Sequence, residues 1–381
     1  METKPLIFTD RSRIVQGWKC PRARYWQYHY KGRGIISGTT SLELMLGLTV
    51  HDALAAIATQ HKAGQPVDID LIASAANKQM MEVLLENTTG EVDAVNFANE
   101  QSALVEGLVR GFYRHVWPQL MSSYKGIIAI EEEVQYSLDD TITFMARPDL
   151  ILEDHEGNWH YLEYKTTSSK TDKWINSWAT AVQLHSSVKA VEQTLGIAPT
   201  SVQVIGLYKG YESYGKQNSP FCYTYVRQGN PPFTETQTHY EYKAGFKRSP
   251  TWELSGGVKK WVEEMPEDVL ANQFPMCPPI FVKDDLVNAF FQQQMMREHE
   301  ISLALQMMEH LGAESVEGVM NMAFPQHFEQ CSPAWGHGCQ YKRLCHGHYN
   351  DPLEEGYLLR TAHHSPEEAQ HNAAKGVNEN I

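Results

Sequence analysis

The chain has 381 residues, 42% of them hydrophobic and 20% charged, with a formal net charge of −14. That is enough apolar sequence to bury a core, in one large domain or two smaller ones, and the acidic balance argues against a protein that coats nucleic acid through bulk charge. No apolar run reads as long enough to span a membrane and no signal-peptide core opens the chain, so a soluble, cytoplasmic protein without a membrane partner is expected.

Residues 10 to 30 read as one helix with Ser12 as its cap. The first 37 residues hold eight Lys/Arg against Glu2 and Asp10, and the basic residues, Arg22 and Arg24 among them, interleave with Trp18, Tyr25, Trp26, Tyr28 and Tyr30. Such interleaving suits a single nucleic-acid strand, with charge on phosphates and rings under bases; the other reading is a solvated helix face over a buried aromatic stripe. Leu42 to His61 is an apolar helix stopped before Pro66, and residues 68 to 87 and 95 to 123 are further helices. The last of these carries Leu104, Leu108, Phe112 and Val116 on one face. Strands begin near Gly126. Ile127 to Val134 runs into Glu131-Glu132-Glu133, where alternation puts Glu131 and Glu133 on one face and Glu132 on the other; one of the three as an extra metal ligand is the alternative reading, and a solvated edge is expected there. Gln135 to Phe144 contains an Asp139-Asp140 turn.

Arg147 to Glu153 and Trp159 to Thr166 then read as two strands around the turn cluster Asp154 to Asn158. With the hairpin centred near Glu156, Asp149 lies across from Glu163, fourteen residues on. Cross-strand neighbours sit about 5 Å apart at Cβ, close enough for two carboxylates to share a divalent cation. Lys165, two residues beyond Glu163, points to the same face. Two carboxylates and a lysine so placed suit metal-assisted phosphodiester hydrolysis, with Lys165 orienting or deprotonating the water. A surface hairpin with a cross-strand ion pair is the competing reading. Lys170 and Lys173 follow where DNA phosphates could meet them, and Trp174 and Trp178 read as core. Lys173 to Leu195 is a helix, Ser201 to Tyr208 and Phe221 to Arg227 are strands, 228 to 250 is irregular, and Pro250 to Glu264 and Lys283 to Leu311 are helical. Helices around a mixed sheet make an α/β (α+β) core.

Of six cysteines, Cys222 and Cys277 stand alone and read as inert thiols. Cys331, Cys339 and Cys345 lie in one Gly- and Pro-bent loop, and Cys20 sits far upstream in Lys19-Cys20-Pro21-Arg22. Four thiolates suit a tetrahedral zinc or an iron–sulfur cluster. His337, His346 and His348 are alternative ligands that keep zinc open.

These motifs, in this order, resemble the RecB-type branch of the PD-(D/E)XK nuclease superfamily. Within it they resemble the iron–sulfur exonucleases, such as CRISPR-associated single-domain nucleases and the AddB nuclease domain. Ser12 to Tyr28 with Cys20-Pro21-Arg22 resembles the family's N-terminal cysteine helix, and Gly47-Leu48-Thr49-Val50-His51 its metal-site histidine motif. Arg147-Pro148-Asp149 and Glu163-Tyr164-Lys165 resemble the core motifs, Ala181-Val182-Gln183-Leu184 the following glutamine helix, and Cys331, Cys339 and Cys345 the C-terminal cysteines. The gap of seven residues after Cys331 is longer than usual, and Ser187 stands where the family often has a tyrosine.

The resemblance implies a restriction-endonuclease-like fold. It implies His51, Asp149 and Glu163 as ligands of Mn or Mg, Lys165 and Gln183 as catalytic residues beside them, and a structural 4Fe-4S cluster on the four cysteines. The expected organisation is a helical N-terminal region over 1–125, a nuclease core over 126–210, an insertion over 211–325, a cysteine cluster over 326–350 and a mobile tail over 351–381. The expected activity is a DNA exonuclease favouring single-stranded ends, bacterial or phage-encoded. The alternative is a nuclease-fold adaptor in a larger complex, with a helicase or an integrase-like assembly as partner.

Overall fold

A computed structural model describes residues 6–38, 41–86, 92–169, 171–209, 273–311, 313–332, 338–347, 351–362 and 364–369, with short helical pieces between 258 and 271 and Asn372. The elements in chain order are β1 (Ile7–Asp10), α1 (Arg11–Lys19), α2 (Pro21–Tyr28), β2 (Ile35–Ser37), α3 (Leu42–Lys62), α4 (Ile69–Glu86), α5 (Val92–Gly111) and α6 (Trp117–Ser123). There follow β3 (Tyr124–Ile130), β4 (Val134–Ser137), β5 (Ile142–Ala146), β6 (Leu150–Asp154), β7 (Trp159–Thr167), α7 (Asp172–Ser177), α8 (Val182–Leu195) and β8 (Ser201–Tyr208). The last are α9 (Glu267–Ala271), α10 (Asp284–His310), α11 (Ala313–Ala323), α12 (Phe328–Cys331), α13 (Lys342–Cys345) and β9 (Tyr357–Leu359). The strands predicted at 221–227, the irregular stretch 228–250 and Cys222 lie outside the described residues.

The central sheet runs β3-β6-β7-β8. Its β3, β6 and β7 are antiparallel, and β8 returns parallel to β7 through α8. Alternation along these strands feeds two cores. Leu150, Leu152, Leu162, Tyr164, Ile205 and Leu207 pack toward α3, α4 and α5. Ile151, Tyr161, Val202 and Val204 pack toward α8 and the Phe290/Phe291 end of α10. A sheet covered on both faces needs apolar residues on both, which explains the near-continuous hydrophobic run of β8. A second sheet, β1-β5-β4, and the ribbon β2-β9 complete the frame.

The long N-terminal helix expected over 10 to 30 is two helices. Pro21 opens α2, while Cys20 between them is extended, at φ −161° and ψ 110°; proline favours a first helical turn and an extended residue before it. The cap of α1 is Asp10 rather than Ser12, its carboxylate accepting the Arg13 N–H at 2.9 Å. Contrary to the sequence reading, α3 is long and apolar enough to cross a membrane by length and composition. Here it buries Leu46, Val50, Leu54 and Ile57 in the larger core. Between α5 and α6 the helix widens into a π turn at Phe112–Val116, just before Pro118, which has no N–H to give the helix ladder.

The expectation of a mobile tail from residue 351 is corrected over 351–362 and 364–369. Strand β9 pairs with β2, and His364 and Glu367 are buried. His364 lies 3.0 Å from Glu133, and Glu367 forms an ion pair with the buried Arg13. Composition alone made this segment look solvated; its charged groups have buried partners far upstream.

Candidate active site and metal centre

The β6–β7 hairpin pairs Leu150 with Leu162, so Asp149, one residue before β6, stands next in line with Glu163. The turn forms as its sequence suggests. The Asp154 carboxylate accepts the N–H groups of Glu156 and Asn158 at 2.9 and 2.8 Å, and Gly157 takes φ +87°. Asp149 is buried behind Pro148 and its carboxylate accepts the Tyr164 backbone N–H.

From the α3 side, His51 reaches across with Nδ1 3.0 Å from Asp149 Oδ1 and 3.6 Å from Glu131 Oε1. Among the described residues, His51, Glu131 and Asp149 bring one ligand atom each within 4.8 Å of one another. Glu131 is thus not on a solvated edge. The chain leaves β3 there in the left-handed region, φ +47°, and the Glu131 N–H donates to the Asp149 carbonyl at 3.1 Å. A non-glycine residue at positive φ is uncommon and often marks a site. This bend turns Glu131 toward His51, while Glu133 pairs with Arg147 at 2.7 Å and Glu132 is exposed. The sequence signal was present, an acidic run ending an apolar strand just upstream of the motif, but alternation alone gave Glu131 no direction.

The electrostatics suit a cation. Burial alone would lower the His51 pKa, but the charge and hydrogen bond of Asp149 and the bond to Glu131 hold it up at about 10. Burial would raise Asp149; His51, Lys165 and the Tyr164 N–H outweigh it and hold it below the usual range. Burial, then the nearby Asp149 charge, keeps Glu131 raised despite His51. Two carboxylates compete for one imidazolium. Neutral imidazole and two carboxylates carry the charge that a divalent cation would balance, from ligand types common at Mn or Mg sites.

Glu163 lies just outside this group. It is buried, accepts from the Tyr161 hydroxyl, pairs with Lys165 two residues on, and has Arg11 at 3.5 Å. The strand period carries the Glu163–Lys165 pair on one face of β7. The first-turn α8 residue Gln183 and the loop residue Lys170 lie outside the described residues in what can be said of their side chains. Lys173 is exposed on α7, and Trp174 and Trp178 meet edge to face at 5.7 Å on the smaller core.

Two expected DNA contacts are corrected. Arg22 is buried and donates to the Phe324 carbonyl at 2.8 Å and to Asn321 at 2.6 Å. Arg24 is buried against both Glu298 oxygens, at 2.7 and 2.6 Å. Tyr25, Trp26 and Tyr28 are core, and of the rings in α1 and α2 only Trp18 is exposed. The basic, aromatic sequence of α2 is thus a docking face for the C-terminal helices, because its guanidinium groups find carbonyl and carboxylate partners on α10 and α11.

The same face gathers the cysteines. Cys20 is buried and Cys339 and Cys345 are half-buried in one apolar cluster with Trp26, Tyr341 and Leu344. Cys331 is buried as well, and burial, then the charges of nearby Cys20 and Cys331, raises the Cys339 thiol. The Cys339 N–H donates to the Cys331 carbonyl at 3.2 Å, and Gln326 donates to the Cys345 carbonyl at 2.8 Å. Burial pushes the Cys345 thiol up to about 11, with the charges of Cys339 and Cys20 adding to it despite the Trp26 hydrogen bond and Arg22. Four neighbouring thiols are ligand types suited to a soft metal centre, which would hold them as thiolates. Cys277 is buried elsewhere, its thiol raised to about 11 by burial.

The family profile of the PD-(D/E)XK nuclease superfamily matches residues 12–346. The chain belongs to the PD-(D/E)XK nuclease superfamily. The match spans the hairpin, the α3 histidine and all four clustered cysteines. No curated protein matches the chain. Membership in this nuclease superfamily, together with a His/Glu/Asp group suited to a divalent ion, supports a metal-dependent nuclease.

Proposed function

We propose that this PD-(D/E)XK protein is a deoxyribonuclease of the RecB-type branch that works from DNA ends. The observation that carries the reading is the convergence of His51, Glu131 and Asp149 on one point, beside the Glu163–Lys165 pair. His51, Glu131 and Asp149, with Glu163 adjacent, would hold a divalent ion, which would supply Lewis acidity there. The protein groups do the rest. Buried Asp149 is oriented by the Tyr164 N–H, so its ligand geometry is set before substrate arrives. Lys165 offers an ammonium beside Glu163, able to steer a water or to offset charge developing on the phosphate. Gln183, in the first turn of α8, is assigned a steadying role on the strength of the sequence motif. Partly exposed Arg11 and exposed Lys173 are the cations we assign to the strand path. Preference for single strands rests on exposed Trp18, since the other rings of the N-terminal helices are core.

The four cysteines are proposed to hold a 4Fe-4S cluster that fastens α2 to the C-terminal helices. Iron is favoured over zinc by the order of motifs along the chain. The test is cleavage of end-labelled linear and covalently closed DNA, single- and double-stranded, by anaerobically purified protein with Mn, Mg or EDTA, beside Lys165→Ala. Cleavage of linear DNA alone, dependent on metal and lost in the variant, supports an end-directed enzyme. Cutting of closed circles would refute end-dependence. Absence of any cleavage by folded protein would favour the adaptor reading. Bound iron, lost in Cys345→Ser, decides the cluster separately.

A further inference from the structure

Two of the metal-site residues sit where the two sheets join. Residues 131–133 connect β3 to β4, and residues 147–149 connect β5 to β6. The two connections run side by side, bounded by the Ile130–Leu150 pair in the central sheet and the Val134–Ala146 pair in the second. A contact at each end ties them: the Glu131 N–H donates to the Asp149 carbonyl at 3.1 Å, and Arg147 donates to Glu133 at 2.7 Å. Glu133 is also where the C-terminal segment 364–369 meets this junction. The Glu133 carboxylate has His364 Nδ1 at 3.0 Å and accepts the Ser365 N–H at 3.2 Å. That segment is itself anchored, since buried Glu367 pairs with buried Arg13 of α1 and the His364 side chain is buried.

We propose that Glu133 is a positioning residue for the metal centre, through which the C-terminal segment holds Glu131 and Asp149 in place; the proposal rests on the metal-dependent reading above. The leverage of Glu133 comes from its place in the chain. Glu131 lies two residues before it. Asp149 lies two residues after its partner Arg147, with Pro148 between, and the proline ring fixes φ. A displacement of Arg147 therefore passes to Asp149 with little slack. Chemistry explains why this position is an acid. Three donors from two distant parts of the chain meet one carboxylate, and hydrogen bonds to an ionised group are about twice as strong as neutral ones. A cation is held only while its ligand atoms stay together. Loosening either connection separates atoms that now lie within 4.8 Å of one another.

The experiment is calorimetric titration of the full chain with Mn, without DNA, on protein that circular dichroism shows to be folded. The variants are His364→Ala, Glu133→Gln and the two combined, with Arg22→Met, buried on the cysteine face, as the control for general loosening. His364→Ala and Glu133→Gln are each expected to weaken Mn binding about tenfold, the scale on which groups that orient a metal ligand act. The double variant should lose no more than Glu133→Gln alone, because both changes act through one carboxylate. Arg22→Met should lower the urea midpoint and keep the wild-type affinity. Wild-type affinity in both single variants, additive losses in the double variant, or an equal loss in Arg22→Met overturns the proposal. Absence of Mn binding by the wild-type protein would remove the metal centre and this proposal with it. Mn binding without any DNA cleavage would refute the nuclease reading alone, and the variants would still decide the role of Glu133.

Discussion

Replacing Arg24 with methionine separates a structural role from a DNA-contact role. Arg24 and Glu298 are 3% and 1% exposed at their side chains, joined by two hydrogen bonds, and Thr9 adds a third to Glu298 at 2.8 Å. Removing Arg24 leaves a buried carboxylate with the Thr9 hydroxyl as its donor among the described residues, and breaking such a pair from one side costs about 3–5 kcal/mol. Against a total stability of about 5–15 kcal/mol, that is a large fraction. Arg24→Met should therefore lower the urea midpoint sharply, whereas Arg24→Met combined with Glu298→Met should recover most of the loss, since neither charge is then stranded. The salt dependence of DNA binding, measured on protein that remains folded, should stay unchanged, because Arg24 meets no phosphate. Unchanged stability with a weaker, less salt-dependent DNA complex would refute the argument and return α2 to the strand-binding surface.

Three further outcomes follow from the same geometry. Glu131→Gln should weaken Mn binding at least about tenfold by calorimetry, while Glu132→Gln next door leaves it as it was; equal affinities in both would remove Glu131 from the site. Burial raises Glu133, but hydrogen bonds from Ser365, Arg147 and His364 outweigh it and hold the pKa at about 2 rather than 4.5. Its stabilising contribution is therefore present above pH 4.5 and lost as pH falls through 2, and Glu133→Gln should flatten that part of the acid-unfolding curve. Gly34 has φ +82° and an added Cβ would stand 2.0 Å from the Gln27 carbonyl oxygen, whereas at Gly64, φ +69°, nothing lies within 4 Å. Gly34→Ala should cost more than the roughly 1 kcal/mol typical of a strained glycine position, and Gly64→Ala should lower the melting temperature less; the reverse order would contradict the packing at β2.

Local pattern was readable where neighbours in sequence are neighbours in space. The Ser201–Tyr208 strand and the Asp284–His310 helix lie within a residue of their expected bounds, and the hairpin register placing Asp149 across from Glu163 follows from turn chemistry and period-two alternation. Glu131 was not readable, because its direction depends on a positive-φ bend closed by the Asp149 carbonyl and on a histidine from another helix. Strands β1 and β9 were missed for a related reason. Both are short, and each is stabilised by a partner far away in sequence.

The sequence by itself determined the class of chemistry: two acids and a lysine on a hairpin, a histidine on an apolar helix, and four cysteines at the two ends of the chain. Residue type and short-range spacing suffice for that, since they set which ligands exist and which share a strand face. Tertiary structure decided what the charges do. Arg22 and Arg24 carry the signature of phosphate contacts in sequence, yet they are consumed by Asn321, Phe324 and Glu298 about three hundred residues on. Arg11, from the same basic stretch, is instead partly exposed, 3.5 Å from Glu163. Whether an arginine is spent inside or offered outside depends on which distant acceptor the fold brings to it, and no local pattern carries that information.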